Sequence, residues 1–372
     1  MNEDMVISVL KKNGIEFVAS LPCDRNKRLT ALLPSAFRVI QLAREEDGVG
    51  ICAGLALSGK RAAVSIQSSG LGNMLNALMS LTALYHLPLP ILASWRGVQN
   101  EPICAQVPFN KPLPALLDVY GIPYRVFSDA KDLEGLDEIV SMAFEKSMPA
   151  VALLLPSCWG GEAAPAISYP PRRFARLTLS LPAADEPVIR RADAIAAAVS
   201  AVPASALIVS NIGVPSKELY AAADRPGNFY MLGSYMQASA VGLGCALGCP
   251  GREVYVIDGD GSLLGSAVLP VVGAEATANL HILALDNGTF GSTGNQISPA
   301  YAGADIGLLA MAAGIAGVVR VRTAGEIAEA VSAGAAFVHA VILPGNSGAA
   351  NILLTPEEIK RRFMAEAARD VR

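Results

Sequence analysis

Short apolar runs alternate with helix-period segments along almost the whole chain. Within each run the apolar residues are continuous rather than alternating with polar ones, which is typical of parallel strands covered by helices on both faces. Between the runs, apolar residues recur at helical spacing over 113–120, 133–146, 191–199 and 324–335. The pattern predicts an α/β protein with parallel sheets. The predicted strands are FVASLP, AAVSIQ, LPILAS, YRVF and AVALLLP, followed by LIVSN, EVYVID, HILALDN, GVVRVR and HAVILP.

The alternation is interrupted near 156–188. This stretch contains PSCWGGEAAPAISYPPRRF and SLPAADEP, which are rich in proline and have few periodic positions, as linkers do. A chain of 372 residues is long enough for two domains of ordinary size. We therefore predict domains over 1–160 and 186–372, joined by a connecting segment over 161–185.

Composition narrows the class of protein. The net charge is only −4 and no Lys/Arg cluster is present, which argues against a nucleic-acid partner. The start, MNEDMVISVLKKNG, does not resemble a signal peptide, and no apolar run is long enough to predict a membrane-spanning helix. The six cysteines lack metal-site spacing, which favours reduced thiols in a cytoplasmic protein.

The segment VIDGDGS combines two aspartates with two glycines directly after a predicted strand. Asp260 lies at the strand end, where open α/β sheets bind ligands, and Asn287 follows the next strand. Carboxylate and amide oxygens from these two loops suit Mg²⁺, and Ser262 with the start of the following helix suits phosphate. Tight turns with an aspartate helix cap are the alternative.

Together, Gly259-Asp260-Gly261 and Asn287 resemble the GDG–x(about 25)–N motif of thiamine diphosphate (ThDP) enzymes. The resemblance implies that Asp260, Asn287 and the backbone carbonyl of Thr289 hold Mg²⁺, which grips the cofactor's diphosphate. It also implies two parallel-sheet ThDP-binding-fold domains, a pyrimidine-binding domain followed by a diphosphate-binding domain. Larger relatives carry a third domain between these two, for which this chain has no room.

The segment Ala43–Gly54 carries a second match. The family places one catalytic glutamate about nine residues before a helix glycine, and Glu45 and Gly54 fit that spacing. The resemblance implies that Glu45 shares a proton with the cofactor's pyrimidine ring. Glu46 is an alternative, and so is an acidic first turn that only stabilises its helix. The family builds its active sites from two subunits, which implies a homodimer or homotetramer with active sites at the subunit interface.

The segment Gln67–Asn73, QSSGLGN, has glycines that allow close backbone approach to a ligand. It lacks the third glycine of a dinucleotide motif and is similar instead to a segment of the sulfopyruvate and phosphonopyruvate decarboxylases. The resemblance is greatest to the two sulfopyruvate decarboxylase subunits, fused in one chain. It implies decarboxylation of 3-sulfopyruvate to sulfoacetaldehyde and CO₂ in coenzyme M biosynthesis, with phosphonopyruvate as the alternative substrate. Other similar pieces are LPCDRNK, SWRG, EPICAQVPFNKPLPALLD, FYMLGSYM and DNGTFGSTGNQ.

An anionic 2-oxo acid of this kind needs fixed cations beside its sulfonate. Arg96 and Lys111 are the first candidates because guanidinium and ammonium groups bind oxyanions well, although each could equally be a solvated surface charge. The further substrate candidates are Arg25 and Lys27 as cations, and Asp24 and Gln106 as groups that move protons or orient substrate.

The remaining cofactor contacts follow from the resemblance. Ser216 is expected at phosphate, while Gly233 and Ser234 are expected at the aminopyrimidine. Relatives read GSMG where this chain has Gly233-Ser234-Tyr235-Met236, so the apolar wedge under the cofactor is either Tyr235 or Met236. The other predicted cofactor-binding residues are Gly70, Asn73, Gly259, Gly261 and Ser262.

A phosphatase of the haloacid dehalogenase type is the alternative from another class. Its DxDxS/T motif also matches 258–262, with Asp258 as the nucleophile. That fold normally begins with this motif, which would leave 1–250 unexplained. A catalytically silent ThDP-fold subunit is a third possibility, against which the intact Glu45 and metal motif both argue.

Overall fold

The computed structural model describes residues 2–165, 180–182 and 186–369, and they form two compact units. The first unit contains 2–56 and 60–165, and the second contains 57–59, 180–182 and 186–369. Most of the predicted connecting segment, 161–185, lies outside the described residues. The domain boundaries at 160 and 186 therefore stay a prediction.

The described part of the first unit contains a six-stranded parallel sheet, in the order β2-β1-β3-β4-β6-β5. Its strands are β1 (Phe17–Ser20), β2 (Arg38–Gln41), β3 (Ala62–Gln67), β4 (Leu89–Ser94), β5 (Tyr124–Phe127) and β6 (Pro149–Leu154). Its helices are α1 (Asn2–Lys12), α2 (Lys27–Leu32), α3 (Glu45–Leu57), α4 (Gly70–Ala77), α5 (Val107–Asn110), α6 (Leu113–Val119) and α7 (Leu136–Glu145).

Burial explains which strands the apolar pattern finds. The central strands β4 and β6 are buried at every position, and their continuous apolar runs predict them correctly. Strand β2 was not predicted, because it lies at the sheet edge and exposes Arg38 and Gln41. Helices α1 and α7 pack on the sheet through Val6, Leu10 and other side chains of one apolar cluster. The same cluster includes Val18 of β1, Ala63 of β3 and Leu92 of β4.

Within 186–369, the second unit repeats the architecture with a six-stranded parallel sheet, in the order β13-β14-β10-β9-β7-β8. Its strands are β7 (Leu207–Ser210), β8 (Asn228–Tyr230), β9 (Val254–Gly259), β10 (Leu280–Asp286), β13 (Val318–Val321) and β14 (Phe337–Val341), and β11 (Thr289–Phe290) pairs with β12 (Gln296–Ile297) as a separate hairpin. Its helices are α8 (Arg191–Ala201), α9 (Val214–Ala223), α10 (Ala238–Gly248), α11 (Asp260–Gly265), α12 (Val268–Glu275), α13 (Ile306–Ala312), α14 (Ala324–Ser332) and α15 (Pro356–Ala367).

Strands β9 and β10 are neighbours in this sheet, and Gly259 is in register with Leu285. The loops that follow the two strands therefore begin side by side at one edge. Helix α10 is buried at every residue and packs on β9, where a Cβ at Gly242 would lie 2.1 Å from Val256 Cγ2. The glycine lets the helix approach the strand closely enough to fix this edge.

The predicted α/β class with two parallel sheets is confirmed. In the described ranges, no helix has both the length and the apolar character needed to cross a membrane.

Candidate active site

A cavity of about 360 Å³ opens at the carboxyl edge of the second sheet. It lies where ligands bind in parallel α/β sheets, above the ends of β7, β9 and β10. Glycines and small polar residues form much of its wall, so backbone N–H groups can reach a ligand. The lining residues are Arg191, Asn211, Ile212, Gly213, Pro215, Tyr235, Gly259, Asp260, Gly261, Ser262, Leu285, Asn287, Thr289, Phe290, Gly291, Ser292 and Thr293.

Asp260 is the first residue of α11 and is 4% exposed. Its Oδ2 accepts a hydrogen bond from the Ser298 hydroxyl. Burial raises the pKa of Asp260 to about 6, and the nearby Asp286 carboxylate adds to the rise, although the hydrogen bond from Ser298 opposes it. A carboxylate buried in this way is expensive to ionise unless a cation accompanies it. The geometry therefore suits a metal ligand.

Asn287 and Thr289 lie beside Asp260 at the end of β10, and they are 6% and 7% exposed. The Thr289 N–H donates to Asn287 Oδ1 over 2.9 Å, which fixes the amide oxygen. Gly288 turns the chain between them with φ +65°, where a Cβ would meet the Tyr301 ring at 2.6 Å. One carboxylate and one amide oxygen on neighbouring loops, with backbone carbonyls nearby, match the oxygen donors that Mg²⁺ prefers. The predicted metal residues thus fit the ion.

Two glycines of the cavity wall make it suited to phosphate as well. Gly213 has φ +87° and directly precedes α9, whose first N–H groups have no partner within the helix. At Gly261 a Cβ would lie 2.5 Å from Phe290 Cε1, so a larger residue would displace that ring. Both glycines therefore preserve space and backbone donors at the cavity wall.

Four predicted cofactor residues of the second unit line the cavity, and four do not. Those that line it are Tyr235, Gly259, Gly261 and Ser262, and those outside its lining are Ser216, Gly233, Ser234 and Met236. Ser216 is 1% exposed, and its hydroxyl bonds the Ser210 hydroxyl at 2.7 Å and the Asn211 carbonyl at 2.8 Å. It therefore ties α9 to the end of β7.

The segment that carries the possible wedge is strained. Ser234 and Met236 both have positive φ, at +61° and +75°, which costs energy in residues with side chains. Tyr235 is 40% exposed and borders the cavity, whereas Met236 places its sulfur against Gly265. Burial raises the pKa of Tyr235, and the Asp260 and Asp258 carboxylates raise it further. The phenol thus stays protonated beside the cavity.

Glu45 lies in the first unit, at the start of α3. Its Oε2 accepts a hydrogen bond from Asn73 Nδ2 over 2.9 Å. A Cβ at Gly70 would lie 2.5 Å from Glu45 Cγ, so only glycine leaves room for this carboxylate. The alternative, Glu46, is 4% exposed and lies 3.3 Å from Arg44. Burial raises the pKa of Glu46, and the Arg44 charge opposes that rise. The structure therefore brings the predicted Glu45, Gly70 and Asn73 together.

The buried side chain of Arg96 centres a second polar cluster in the first unit. Arg96 is 2% exposed and makes a bidentate pair with Glu101, at 2.6 and 2.8 Å, and its Nη1 also donates to Asp24 Oδ1 at 2.5 Å. The Arg96 hydrogen bonds lower the pKa of Glu101 to about 2. Gly97 makes the turn after Arg96 possible, since a Cβ there would lie 2.2 Å from the Gln106 carbonyl oxygen. Two carboxylates thus already hold this guanidinium.

Of the other predicted substrate residues, some contact the Arg96 cluster and others are exposed. Gln106 accepts from Gln67 Nε2 at 3.2 Å, and Gln67 also donates to Ser69 in the QSSGLGN segment. Arg25 lies 3.7 Å from Asp24 and 3.8 Å from Glu101. Lys27 and Lys111 are exposed, and neither forms an ion pair within the described chain.

Sequence reasoning did not assign a role to several residues of these sites. Glu101 and Gln67 complete the Arg96 cluster, Ser298 bonds Asp260, and Arg191 reaches the cavity of the second unit. Glu101 stands in a segment singled out for its similarity, but nothing in the sequence pairs it with Arg96. Arg191 begins a predicted helix, and that position alone gives no sign of a ligand.

Asp258, the nucleophile of the alternative phosphatase hypothesis, does not border the cavity. It is 1% exposed, and its oxygens accept from the Ser239 hydroxyl at 2.7 Å and from the Gly259 N–H at 2.9 Å. Burial raises its pKa. A carboxylate enclosed and bonded in this way is poorly placed to attack a phosphate.

Comparison with known proteins agrees with this geometry. The family model described as thiamine pyrophosphate enzyme, N-terminal TPP binding domain, matches residues 2–115, and the corresponding C-terminal TPP binding domain matches residues 213–343. The chain resembles the solved structure of benzoylformate decarboxylase from Polynucleobacter necessarius, with a TM-score of 0.69 and 15% identity over 92% of this chain and 98% of that one. At this identity the likeness shows the fold alone.

Sequence relatives are closer. Sulfopyruvate decarboxylase of Methanosarcina acetivorans is 42% identical over 97% of this chain and 96% of its own length. Phosphonopyruvate decarboxylase of Streptomyces viridochromogenes is 33% identical over 95% and 91%. The separate alpha and beta subunits of sulfopyruvate decarboxylase from Methanothermobacter thermautotrophicus are 34% and 40% identical, and cover 42% and 43% of this chain. The predicted resemblance is confirmed: the chain belongs to the family of thiamine diphosphate-dependent decarboxylases that includes sulfopyruvate decarboxylase and phosphonopyruvate decarboxylase.

Proposed function

We propose that this protein decarboxylates 3-sulfopyruvate to sulfoacetaldehyde and CO₂, with ThDP and Mg²⁺, in coenzyme M biosynthesis. The observation that carries the proposal is the 42% identity to a sulfopyruvate decarboxylase over nearly the full length of both chains. The geometry supports it, because Asn73 bonds the Glu45 carboxylate in the first unit and Asp260 and Asn287 line one cavity in the second. Phosphonopyruvate is the second candidate substrate, because a phosphonopyruvate decarboxylase is 33% identical to this chain.

The second unit holds the cofactor through its metal and its diphosphate. Asp260, Asn287 and the Thr289 carbonyl bind Mg²⁺, while Ser262 and the N–H groups that open α11 and α9 donate to phosphate oxygens. A metal bound here favours the ionised form of Asp260 and so offsets the cost of its burial. When bound, ThDP supplies the nucleophilic carbon and the electron sink that decarboxylation requires.

The first unit supplies the proton chemistry. Glu45 would hold a proton within reach of the pyrimidine ring of bound ThDP and so act as its acid–base group. Asn73 fixes one carboxylate oxygen, and Gly70 provides the space in which the side chain lies. Tyr235 would supply the apolar wedge for a bound cofactor, because it borders the cavity while Met236 packs against Gly265.

The Arg96 cluster binds the sulfonate end of the substrate. Glu101 and Asp24 together balance the charges of Arg96 and Arg25, so the excess positive charge comes from Lys27 and Lys111. Arg96 then acts as a fixed donor array whose position the two carboxylates set. Gln106 orients the substrate through the same hydrogen-bonded network.

Assembly and location complete the proposal. The protein forms a homodimer or homotetramer whose active sites are shared between subunits, and it works in the cytoplasm with its cysteines reduced. Relatives made of separate alpha and beta subunits support an oligomeric enzyme. All six cysteines are free thiols, which is compatible with a reducing compartment.

A substrate comparison tests the proposed reaction. Purified protein with ThDP and Mg²⁺ is given sulfopyruvate, phosphonopyruvate and pyruvate separately, and both CO₂ and aldehyde are followed. We expect the highest kcat/KM with sulfopyruvate. A preference for phosphonopyruvate would transfer the proposal to the second substrate, and absence of any decarboxylation by cofactor-loaded protein would refute it.

A further inference from the structure

Arg191 is a buried cation at the cavity that the proposed function leaves without a role. It is 5% exposed, stands at the first position of α8 and borders the same space as Asp260 and Asn287. Buried arginines are rare and need several partners, because desolvation of the charge is costly. The arrangement of its three guanidinium nitrogens shows which donor is left for a ligand.

Two of these nitrogens are used inside the protein. Nε donates to Glu218 Oε2 at 2.8 Å, and Nη2 donates to Glu218 Oε1 at 3.4 Å and to Asn346 Oδ1 at 2.7 Å. Glu218 is itself 3% exposed and lies on α9, while Asn346 follows β14 and donates to the Gly291 carbonyl at 2.7 Å. Two residues from separate elements, Glu218 and Asn346, therefore fix the guanidinium in one orientation.

The third nitrogen, Nη1, has no hydrogen bond to any residue of the described chain. It is not sealed within the protein either, since the fully enclosed polar atoms without partners do not include it. A Cβ at Gly291, which lines the cavity, would lie 3.1 Å from Nη1 and 2.9 Å from Asn346 Oδ1. Because Gly291 has no side chain, the space beside Nη1 stays open to a ligand in the cavity.

We propose that Arg191 binds the diphosphate of ThDP through Nη1, in the cavity that Asp260 and Asn287 also line. The inference rests on the proposed function only in placing the cofactor in this cavity. A diphosphate carries more negative charge than one Mg²⁺ neutralises, and a guanidinium N–H directed by Glu218 and Asn346 forms a charge-assisted hydrogen bond with it. Glu218 and Asn346 act as positioning residues, because they touch Arg191 and set its orientation.

Direct measurement of cofactor binding tests this role without depending on turnover. Isothermal titration of the Mg²⁺-loaded protein with ThDP is carried out on the wild type, Arg191→Gln and Arg191→Lys. Loss of a hydrogen bond to a charged group predicts a Kd roughly 10- to 100-fold higher for Arg191→Gln. Arg191→Lys keeps the positive charge but loses the planar guanidinium with its directed N–H groups, so we expect a smaller increase in the Kd.

Arg252 gives a matched control in the same unit. It is 6% exposed and equally well bonded, to the Ser205 and Glu366 carbonyls, but it does not border the cavity. Arg252→Gln should lower the melting temperature and leave the ThDP Kd within about threefold of the wild type, as expected of a structural tie. Glu218→Gln should also weaken binding less than Arg191→Gln, since Nη1 is retained.

The outcomes separate the two proposals. Wild-type protein that binds no ThDP would reject the proposed function itself. Wild-type binding with an unchanged Kd in folded Arg191→Gln would reject the inference alone, as would equal losses in Arg191→Gln and Arg252→Gln. If Arg191→Gln does not fold, the ThDP Kd of Arg191→Lys decides. A Kd equal to that of the wild type would overturn the proposed hydrogen bond from Arg191 Nη1.

Discussion

Glu45 is held by two neighbours that both come from the start of α4, where Asn73 donates to its carboxylate and Gly70 makes room for it. In Glu45→Gln the amide can occupy the same space but cannot exchange a proton with the pyrimidine ring. General acid–base contributions of this kind predict a fall in kcat of roughly 10²- to 10⁴-fold, with the ThDP Kd nearly unchanged. Steady-state kinetics and cofactor titration measure the two quantities.

Glu46→Gln is the control for that substitution. Glu46 is buried beside Arg44 and has no contact with Gly70 or Asn73 among its hydrogen bonds and ion pairs in the described chain. Its replacement should alter stability more than kcat. If Glu46→Gln proves to be the inactive variant and Glu45→Gln turns over normally, the assignment of the catalytic glutamate is wrong.

Gly70→Ala tests whether the position of Glu45 matters as well as its charge. The added methyl group would lie 2.5 Å from Glu45 Cγ, so the carboxylate must move. A displacement of about 1 Å at a catalytic group can cost on the order of 100-fold in rate, which is the fall in kcat that we expect. Gly160→Ala, where a Cβ would meet no atom within 4 Å, is the matched control and should keep full activity.

At the scale of elements, the segment after β4 is held by the pair of Arg96 with Glu101. The Glu101 side chain is 4% exposed, and Arg96 lowers its pKa from 4.5 to about 2. A carboxylate whose pKa is lower in the folded state stabilises the fold at pH values above its unfolded pKa. That contribution is then lost as the pH falls through the folded value.

Glu101→Gln should therefore reduce the free energy of unfolding by on the order of 3 kcal/mol at pH 7. The difference from the wild type should remain constant down to about pH 4.5 and then shrink towards pH 2. Urea unfolding at a series of pH values measures it. A difference that does not depend on pH would mean that the ion pair is not its source.

The exposed pair of Arg125 and Glu138 is the comparison for this experiment. Its atoms approach to 2.5 Å, but the side chains are 41% and 68% exposed. Solvent screens such a pair, so Glu138→Gln should cost less than about 1 kcal/mol at any pH. The contrast isolates burial as the reason for the strength of the Arg96 pair.

At the scale of the whole molecule, the predicted sharing of active sites between subunits can be tested by complementation. Glu45→Gln should disable the proposed catalytic glutamate of the first unit, and Asp260→Ala the proposed metal site of the second. Co-expressed as two tagged chains, they should recover roughly a quarter of wild-type activity, since half of random dimers are mixed and each has one intact site. Each variant alone should be inactive, and Asp260→Ala should bind Mg²⁺ and ThDP at least tenfold more weakly.

The complementation experiment has one decisive negative result. If mixed oligomers form, as tag-specific purification shows, and remain as inactive as the parent variants, then each active site draws on one chain only. The proposed sharing would then be withdrawn while the assignments of Glu45 and Asp260 stand.

Sequence alone was sufficient for the features that depend on local pattern. Buried strands such as β4 and β6 are recognisable because both faces are apolar, and the 25-residue spacing from Gly261 to Asn287 matches one strand–helix–strand repeat. Strand β2 was missed because Arg38 and Gln41 face water and its residues resemble those of a loop, whereas the edge strands β5 and β13 were predicted. The family and its cofactor followed from these short, specific motifs.

Tertiary structure alone decided which side chains meet. Glu101 and Arg96 are close in sequence, but only the turn at Gly97 brings them together, and Asp24 joins them from a separate part of the chain. Likewise Arg191, Glu218 and Asn346 come from three elements with no common pattern, and their convergence at the cavity depends on the packing of the second sheet. Periodicity and spacing along the chain encode how each segment is buried, so the sequence by itself determined the fold and the motif residues. Contacts between residues distant in sequence depend on how the elements pack, so only the tertiary structure determined the partners of those motif residues.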